Sequence, residues 1–214
     1  MKALALGLGL VVLMTAPAAS LQNVIKFTGN SWETGGFPDS NVGDELEAVG
    51  TVTSIIAPLF WSPGVNSYTW HVNGLISTGE AMVGTTRVID YTQGRIAFYV
   101  DTRPSNHDYG VNPPNATAPS TFTDGFATYL EGDITSFTLT YDSVNSSGAF
   151  VGQIEFDGGN AFPQLQSNAA YSIGANVSDL SPSGYDLQWN GAIFVDGPLS
   201  VEEASWSGVK SLYR

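Results

Sequence analysis

Five stretches of this chain alternate apolar and polar residues with a period of two. In SYTWHVNGLI, Tyr68, Trp70, Val72 and Ile76 fall on one face, and Ser67, Thr69, His71 and Asn73 on the other. RIAFYVD groups Ile96, Phe98 and Val100, and TSFTLTYD groups Phe137, Leu139 and Tyr141. AFVGQIEFD groups Phe150, Ile154 and Phe156, opposite Val151, Gln153, Glu155 and Asp157. YDLQWNGAIFVD sets Tyr185, Leu187, Trp189, Ile193 and Val195 against Asp186, Gln188 and Asn190. This period, with one polar face, is that of antiparallel strands buried on one side. Weaker strand patterns cover residues 23–28, 46–56, 82–91, 121–130 and 171–175. Gly, Pro, Asn and Asp punctuate the chain at 63–66, 92–94, 142–148, 157–160 and 181–184, where turns are expected. The expected fold is all-β: an antiparallel β-sandwich, jelly-roll-like, of about nine or ten strands. A β-barrel is the alternative, because alternation alone does not separate the two.

The beginning has a different pattern. Lys2 precedes the apolar run Ala3 to Met14, and Ala16-Pro17-Ala18 or Ala18-Ala19-Ser20 offers a small-residue cleavage site. This is the order of a secretory signal peptide, cleaved near Ala18 to Ser20. Residues 21–200 then form one β domain, and residues 201–214 a tail. The chain has no cysteine, so stability outside the cell rests on the core rather than on disulfides. Thiolate metal sites and cysteine nucleophiles are excluded. A formal net charge of −13 argues against nucleic acid and anionic lipid surfaces, which attract Lys and Arg. Sequons stand at Asn115, Asn145 and Asn176.

Few constellations carry chemistry. The histidines are His71, on a polar strand face, and His107, beside Asp108 in a loop. Neither has the nucleophile and orienting acid of a triad, and no G-x-S-x-G elbow occurs. Glu155 and Asp157 project from one strand face, and Asp186 is a third carboxylate that a neighbouring strand could add. Such a pair suits glycoside hydrolysis, but nothing else in the sequence supports it. No catalysis is expected. Residues 101–120 hold Asp101, Asn106, Asp108 and Asn112, an oxygen supply that suits calcium without matching an EF-hand spacing. No cofactor is otherwise called for. Residues 29–45 and 101–120 read as long connections, a length that is often functional. Trp32, Trp61 and Tyr109 fall in loop-like contexts and are the candidate ligand-binding aromatics. Trp70 and Trp189 fall on apolar strand faces and belong to the core.

The tail VEEASWSGVKSLYR has a helical stripe of Trp206, Val209, Leu212 and Tyr213. Glu202 and Glu203 stand at its start, and Lys210 and Arg214 at its end, matching a helix dipole. A short amphipathic C-terminal helix is expected. Trp206, Gly208, Val209, Lys210, Tyr213 and Arg214 make the ending resemble a W-G-x-[IV]-K-x-[LR]-[YF]-R tail. That tail closes otherwise unrelated secreted proteins of environmental bacteria, with Gly208 here displaced from its place after Trp. The body resembles proteins from the same sources, and no activity comes with the likeness. The resemblance implies a secreted bacterial protein whose tail, through Trp206, Lys210, Tyr213 and Arg214, is recognised or docked. No transmembrane segment is expected after cleavage. The overall expectation is a secreted or cell-surface β protein acting by binding or surface association with a glycan or another surface protein. A carbohydrate-binding module or lectin is the first alternative, and a glycoside hydrolase the second. Oligomeric state and ligand stay open.

Overall fold

A computed structural model describes residues 21–102, 107–110 and 118–196. They form nine strands: β1 Gln22–Glu33, β2 Glu45–Ile55, β3 Ser67–Val83, β4 Thr86–Thr92, β5 Arg95–Asp101, β6 Ala127–Asp142, β7 Ser147–Gly158, β8 Ala170–Ser178 and β9 Leu187–Asp196. Single 3-10 turns lie at Ser120–Phe122 and Phe162–Gln164. Every pairing is antiparallel, and β9 returns to pair with β1. Strands β4 and β5 share one position. The first part of β3 pairs with β5 and the second with β4, and β6 meets both in the same way. The break between them is Gln93-Gly94, where both residues have positive φ, 63° and 108°. The result is a closed up-and-down barrel of eight strand positions. Of the two architectures left open by alternation, the barrel is the one adopted. The signal peptide and the C-terminal helix of the sequence reading lie outside the described residues.

Most of the alternation is borne out. Ile96, Phe98, Val100, Phe137, Leu139, Tyr141, Phe150, Ile154, Leu187, Trp189, Ile193 and Val195 are all buried. Ile76 differs from expectation. Gly74 takes φ +71°, and the β2–β3 register slips between Leu46↔Leu75 and Ala48↔Val72. A bulge inserts one residue and reverses the faces beyond it. Leu75 is therefore fully buried while Ile76 is only half-buried. Two weak patterns also resolve differently. Residues 82–91 are a hairpin spanning the end of β3 and β4, and 121–130 divide between a 3-10 turn and the start of β6. The connection expected over 29–45 shrinks to 34–44, because β1 continues to Glu33.

An eight-stranded barrel has an interior just wide enough for side chains to fill, and aromatic rings fill this one. Phe27 meets Trp70 at 5.0 Å between ring centroids. Trp70 stacks on Trp189 at 5.8 Å and 17°. Trp189 packs on Phe150 at 4.3 Å and on Phe137 at 6.0 Å. The two indoles and Phe27 are essentially inaccessible. The Trp70 indole fits because Gly29 and Gly50 face each other across β1 and β2. A Cβ on Gly50 would stand 2.7 Å from Trp70 Cε2, and one on Gly29 would collide with the Val49 carbonyl and the Trp70 ring.

Many outward positions are polar, among them Asp133 and Thr140 on β6, Gln153, Glu155 and Asp157 on β7, and Gln188 and Asn190 on β9, with exposed Val151 on β7 an apolar exception. A transmembrane barrel has the opposite arrangement, apolar outside. Among the described residues no helix is long and apolar enough to cross a membrane.

A second, smaller core lies on the outer wall. Trp32, Val49, Phe122 and Tyr185 are buried together, with Tyr109 and Ala118 packed on them. The Thr69 hydroxyl on β3 donates to the Phe122 carbonyl at 2.9 Å. Described parts of the β5–β6 connection are thus held against the wall of β1, β2 and β3. Gly29→Ala is expected to cost about 2–3 kcal/mol or more, because overpacking here meets backbone as well as a ring. Gly64→Ala, with nothing within 4 Å of the added carbon, should cost under about 0.5 kcal/mol. Urea denaturation of both variants measures the difference.

Candidate functional site

A lumen filled with rings leaves ligand sites to the barrel ends and the outer wall. One end carries the connections 34–44, 84–85, 143–146 and 179–186. The other carries 56–66, 102–126 and 159–169, with Leu21 and Asp196 at the same end.

The 159–169 connection closes the second end. The amides of Asn160 and Ala161 donate to the carbonyls of Thr128 and Tyr129, at 3.1 and 2.8 Å. Gln164 Oε1 accepts from the Phe60 amide at 2.8 Å, and the Tyr129 hydroxyl donates to the Phe60 carbonyl at 2.6 Å. Ala161 is buried and Leu165 packs on the barrel core. Between this connection and β7 and β8 lies a groove of about 660 Å³. Phe156 and Tyr171 meet there edge to face at 5.3 Å and 73°. The Tyr171 hydroxyl accepts the Gln166 amide at 3.1 Å, and burial pushes its pKa up. Phe162 is 40 % exposed at the groove. Gln153, Glu155 and Gln166 supply polar groups to the same lining. Aromatic surface with a few placed polar groups is the composition of small-ligand sites. Phe60, Phe126, Ile56 and Val65, on the other connections of this end, are also exposed. Exposed apolar residues mark interaction surfaces where they form a contiguous patch.

A second concavity, about 640 Å³, lies on the outer wall of β1, β9, β8 and β7, with Gly174 and Ala192 in its lining and Lys26, Asn176 and Asn190 around them. Gln153 lines both. Lys26 is the one basic side chain without an ion pair among the described residues. Arg87 pairs with Glu80 and Asp39, and Arg95 with Asp157, Asp133 and Glu131.

The opposite end is built around a buried acid. Glu33, the last residue of β1, is inaccessible. Its Oε1 accepts the Ser40 hydroxyl at 2.5 Å and its Oε2 the Tyr91 hydroxyl at 3.0 Å. Ser40 is 2.7 Å from the Ser77 hydroxyl, which accepts the Gly79 amide at 3.0 Å. The Glu33 amide donates to Asp186 Oδ2 at 2.8 Å. Loss of solvent pushes the Glu33 carboxyl up to about 7. The Ser40 and Tyr91 hydroxyls oppose the rise, and Asp44 and Asp186 add to it. Burial also raises Asp186. This network ties the 34–44 connection to β1, β3 and β4.

The residues singled out from the sequence are placed as follows. Trp32 is not an exposed loop aromatic. It lies inside β1 and is 1 % exposed, packed edge to face on Tyr185 at 5.6 Å. Tyr109 is half-buried against Phe122, at 4.7 Å, and its carbonyl accepts the Tyr185 hydroxyl at 2.7 Å. Both anchor the outer cluster. Trp61 is partly buried against the barrel core, in the connection that carries Phe60. The three do not form one platform.

Nor do the three carboxylates converge. Asp157 is held bidentate by Arg95 at 2.8 and 3.0 Å, which lowers its pKa. Asp186 stands at the other end, separated from β7 by β8 and β9. Glu155 alone lines the groove. Asp101 ends β5, Asp108 accepts the Gly110 amide at 2.8 Å, and Asn106 lies outside the described residues. Among the described residues no group of three or more His, Cys, Asp and Glu is arranged to hold a metal. His71 meets Glu47 at 3.1 Å on the outer wall, and His107 packs against Phe122 at 5.5 Å. Trp206, Lys210, Tyr213 and Arg214 lie outside the described residues.

Sequence reasoning passed over Phe162, Gln166 and Glu33. For the first two the available signal was NAFPQLQS, a Phe-Pro within a polar connection. Comparison with known proteins finds no matching family model, no matching curated protein and no matching solved structure.

The Glu33 carboxyl makes stability depend on pH. Its folded pKa of about 7 lies above the ordinary value of a solvated glutamate. The unfolded chain therefore releases this proton first, and stability falls as pH rises from the unfolded to the folded value. Glu33→Gln should remove a loss on the order of 1–3 kcal/mol between pH 5 and 8. Thermal unfolding across that range, wild type against variant, reads it.

Proposed function

We propose that this chain is a secreted or cell-surface protein that acts by binding, and that the ligand its groove suits is a glycan. The observation that carries the reading is an open groove, with exposed Phe162, half-buried Phe156 and buried Tyr171 beside Gln153, Glu155 and Gln166, at the end of a barrel whose lumen is packed with rings. A sugar ring presents an apolar face of C–H groups and a rim of hydroxyls. Aromatic side chains cover the first, and side-chain amides and carboxylates bond the second as both donors and acceptors. The polar outer wall and the secretory start to the sequence support a protein that works in an aqueous extracellular setting. Its lack of cysteine suits this too, since the closed barrel needs no disulfide. A protein surface as ligand is the companion reading, supported by exposed Phe60, Phe126, Ile56 and Val65 at the same end.

A glycoside hydrolase draws less support. Its carboxylates stand about 5–9.5 Å apart across the substrate. Here Glu155 is the one carboxylate in the described groove lining, and Asp157 is committed to Arg95.

Glycan-array binding of the purified full chain, with Phe162→Ala and Gln166→Ala beside it, tests the reading. The wild type should bind, and each variant should lose about tenfold or more in affinity, the equivalent of about 1.4 kcal/mol, with an unchanged melting temperature. A blank wild-type array removes the glycan. Binding that survives both substitutions removes the groove.

A further inference from the structure

We propose that the outer wall of β1, β9, β8 and β7 is a second binding site, separate from the groove, and that it takes an acidic oligosaccharide whose carboxylate meets Lys26. The proposal does not depend on what the groove binds.

The strand register builds the site. Lys26 stands opposite Ala192, Ala192 opposite Gly174, and Gly174 opposite Val151. Residues directly opposite one another project on the same face, so this row runs across the outside of four strands. Neighbouring strands lie about 4.8 Å apart, which puts Lys26 and Val151 about 14 Å apart. Between them Ala192 and Gly174 have almost no side chain, and the wall sinks there into the concavity of about 640 Å³. The rows on either side keep theirs. Asn190 faces Asn176 on one side, and Phe194 faces Ser172, which faces Gln153, on the other. Neither backbone nor packing demands a glycine at 174. Its φ is not positive, and an added Cβ would meet only ordinary contacts, the Phe150 carbonyl and the Phe194 ring, both at 3.4 Å. The glycine leaves a floor open where a side chain would fit.

Charge decides the class of ligand. The chain has 20 Asp and Glu against 7 Lys and Arg, yet none of the residues lining this concavity is acidic. Exposed Lys26 lines it, while Arg87 and Arg95 are held elsewhere by carboxylates. The outward acids nearest along β7 and β9 are Glu155 and Asp196, four positions from Val151 and Ala192. That is about 13 Å, beyond the screening length of about 8 Å at physiological salt. An anion at Lys26 is therefore attracted locally, and the distant negative charge is screened. One cation matches one carboxylate rather than the run of them on an acidic peptide. The remaining polar groups are amides and a hydroxyl, which between them donate and accept and so suit sugar hydroxyls. The half-buried Phe194 ring beside the open floor suits the C–H face of a sugar. The row is longer than one sugar ring, so a short chain fits it better than a single unit.

Calorimetric titration of the full chain with tetragalacturonate at physiological salt tests this, with maltotetraose and penta-glutamate as comparisons. Tetragalacturonate should bind, and each comparison should bind about tenfold or more weakly. Lys26→Gln and Gly174→Val should each weaken tetragalacturonate by about tenfold or more, at an unchanged melting temperature. Lys26 is exposed, so its variant decides alone if Gly174→Val folds poorly. Phe162→Ala, in the groove, should leave this binding as it is. No binding of tetragalacturonate, or binding that survives Lys26→Gln, would overturn the proposal. So would loss in Phe162→Ala, which would put the acidic sugar in the groove. Equal binding of maltotetraose would remove the carboxylate, and equal binding of penta-glutamate the sugar. Because the groove variant and the wall variants are read separately, failure here leaves the reading of the groove standing.

Discussion

Trp70 seated in a notch of two glycines and stacked on Trp189 sets the cross-section of this barrel. An indole is among the largest groups a lumen of eight strands can hold, and this lumen holds two, with Phe27, Phe137 and Phe150 around them. Gly29 and Gly50 let β1 and β2 come close to the Trp70 ring, where any Cβ would force the strands away. Each buried aromatic removes about 150–250 Å² from water. At about 25 cal/mol/Å² that is several kcal/mol per ring. A chain without disulfides depends on this kind of core. The same rings fill the middle of the lumen, and the two concavities described above lie at the groove beside β7 and β8 and on the outer wall.

The two ends divide the remaining tasks. One is fixed by a protonatable carboxyl, Glu33, which gathers Ser40, Tyr91 and, through Ser40, Ser77. An unpaired buried acid is costly when charged and acceptable when neutral and hydrogen-bonded. It acts here as a pin for a connection rather than as a reagent. The other end is closed by the 159–169 connection, which leaves aromatic surface and amide groups facing outward. Rigid strands back that lining, since half-buried Phe156 and buried Tyr171 come from β7 and β8, while exposed Phe162 and half-buried Gln166 come from the connection. A site supported in this way is pre-formed, and pre-formed sites lose less to ordering on binding.

The strands were legible in the sequence because a half-buried sheet imposes a period of two on every segment. Closure was not, because nothing in the alternation of β1 or β9 says that the two pair with each other. The glycines and proline that follow Trp32 in NSWETGGFP suggest a loop. The backbone in fact stays extended to Glu33, and the outward face is covered by Phe122 and Tyr185 from distant positions. Alternation alone puts Ile76 inward, because a bulge at Gly74 is invisible to parity counting. The carboxylates Glu155, Asp157 and Asp186 looked like possible companions, but strand order separates the third from the others and Arg95 occupies the second. The groove was hardest to see, since its two halves come from strand ends and a connection that meet only once the barrel has closed.

Packed, inaccessible indoles in the lumen leave the proposed binding to the outside of the barrel. Native-state hydrogen exchange at the indole Nε1–H of Trp70 and Trp189 tests it most directly. A solid lumen requires both to exchange only through global unfolding, with the free energy of the slowest backbone amides. Exchange of either indole well below that free energy, or its acceleration by an apolar ligand, would mean that solvent or ligand enters the barrel, and would contradict the account.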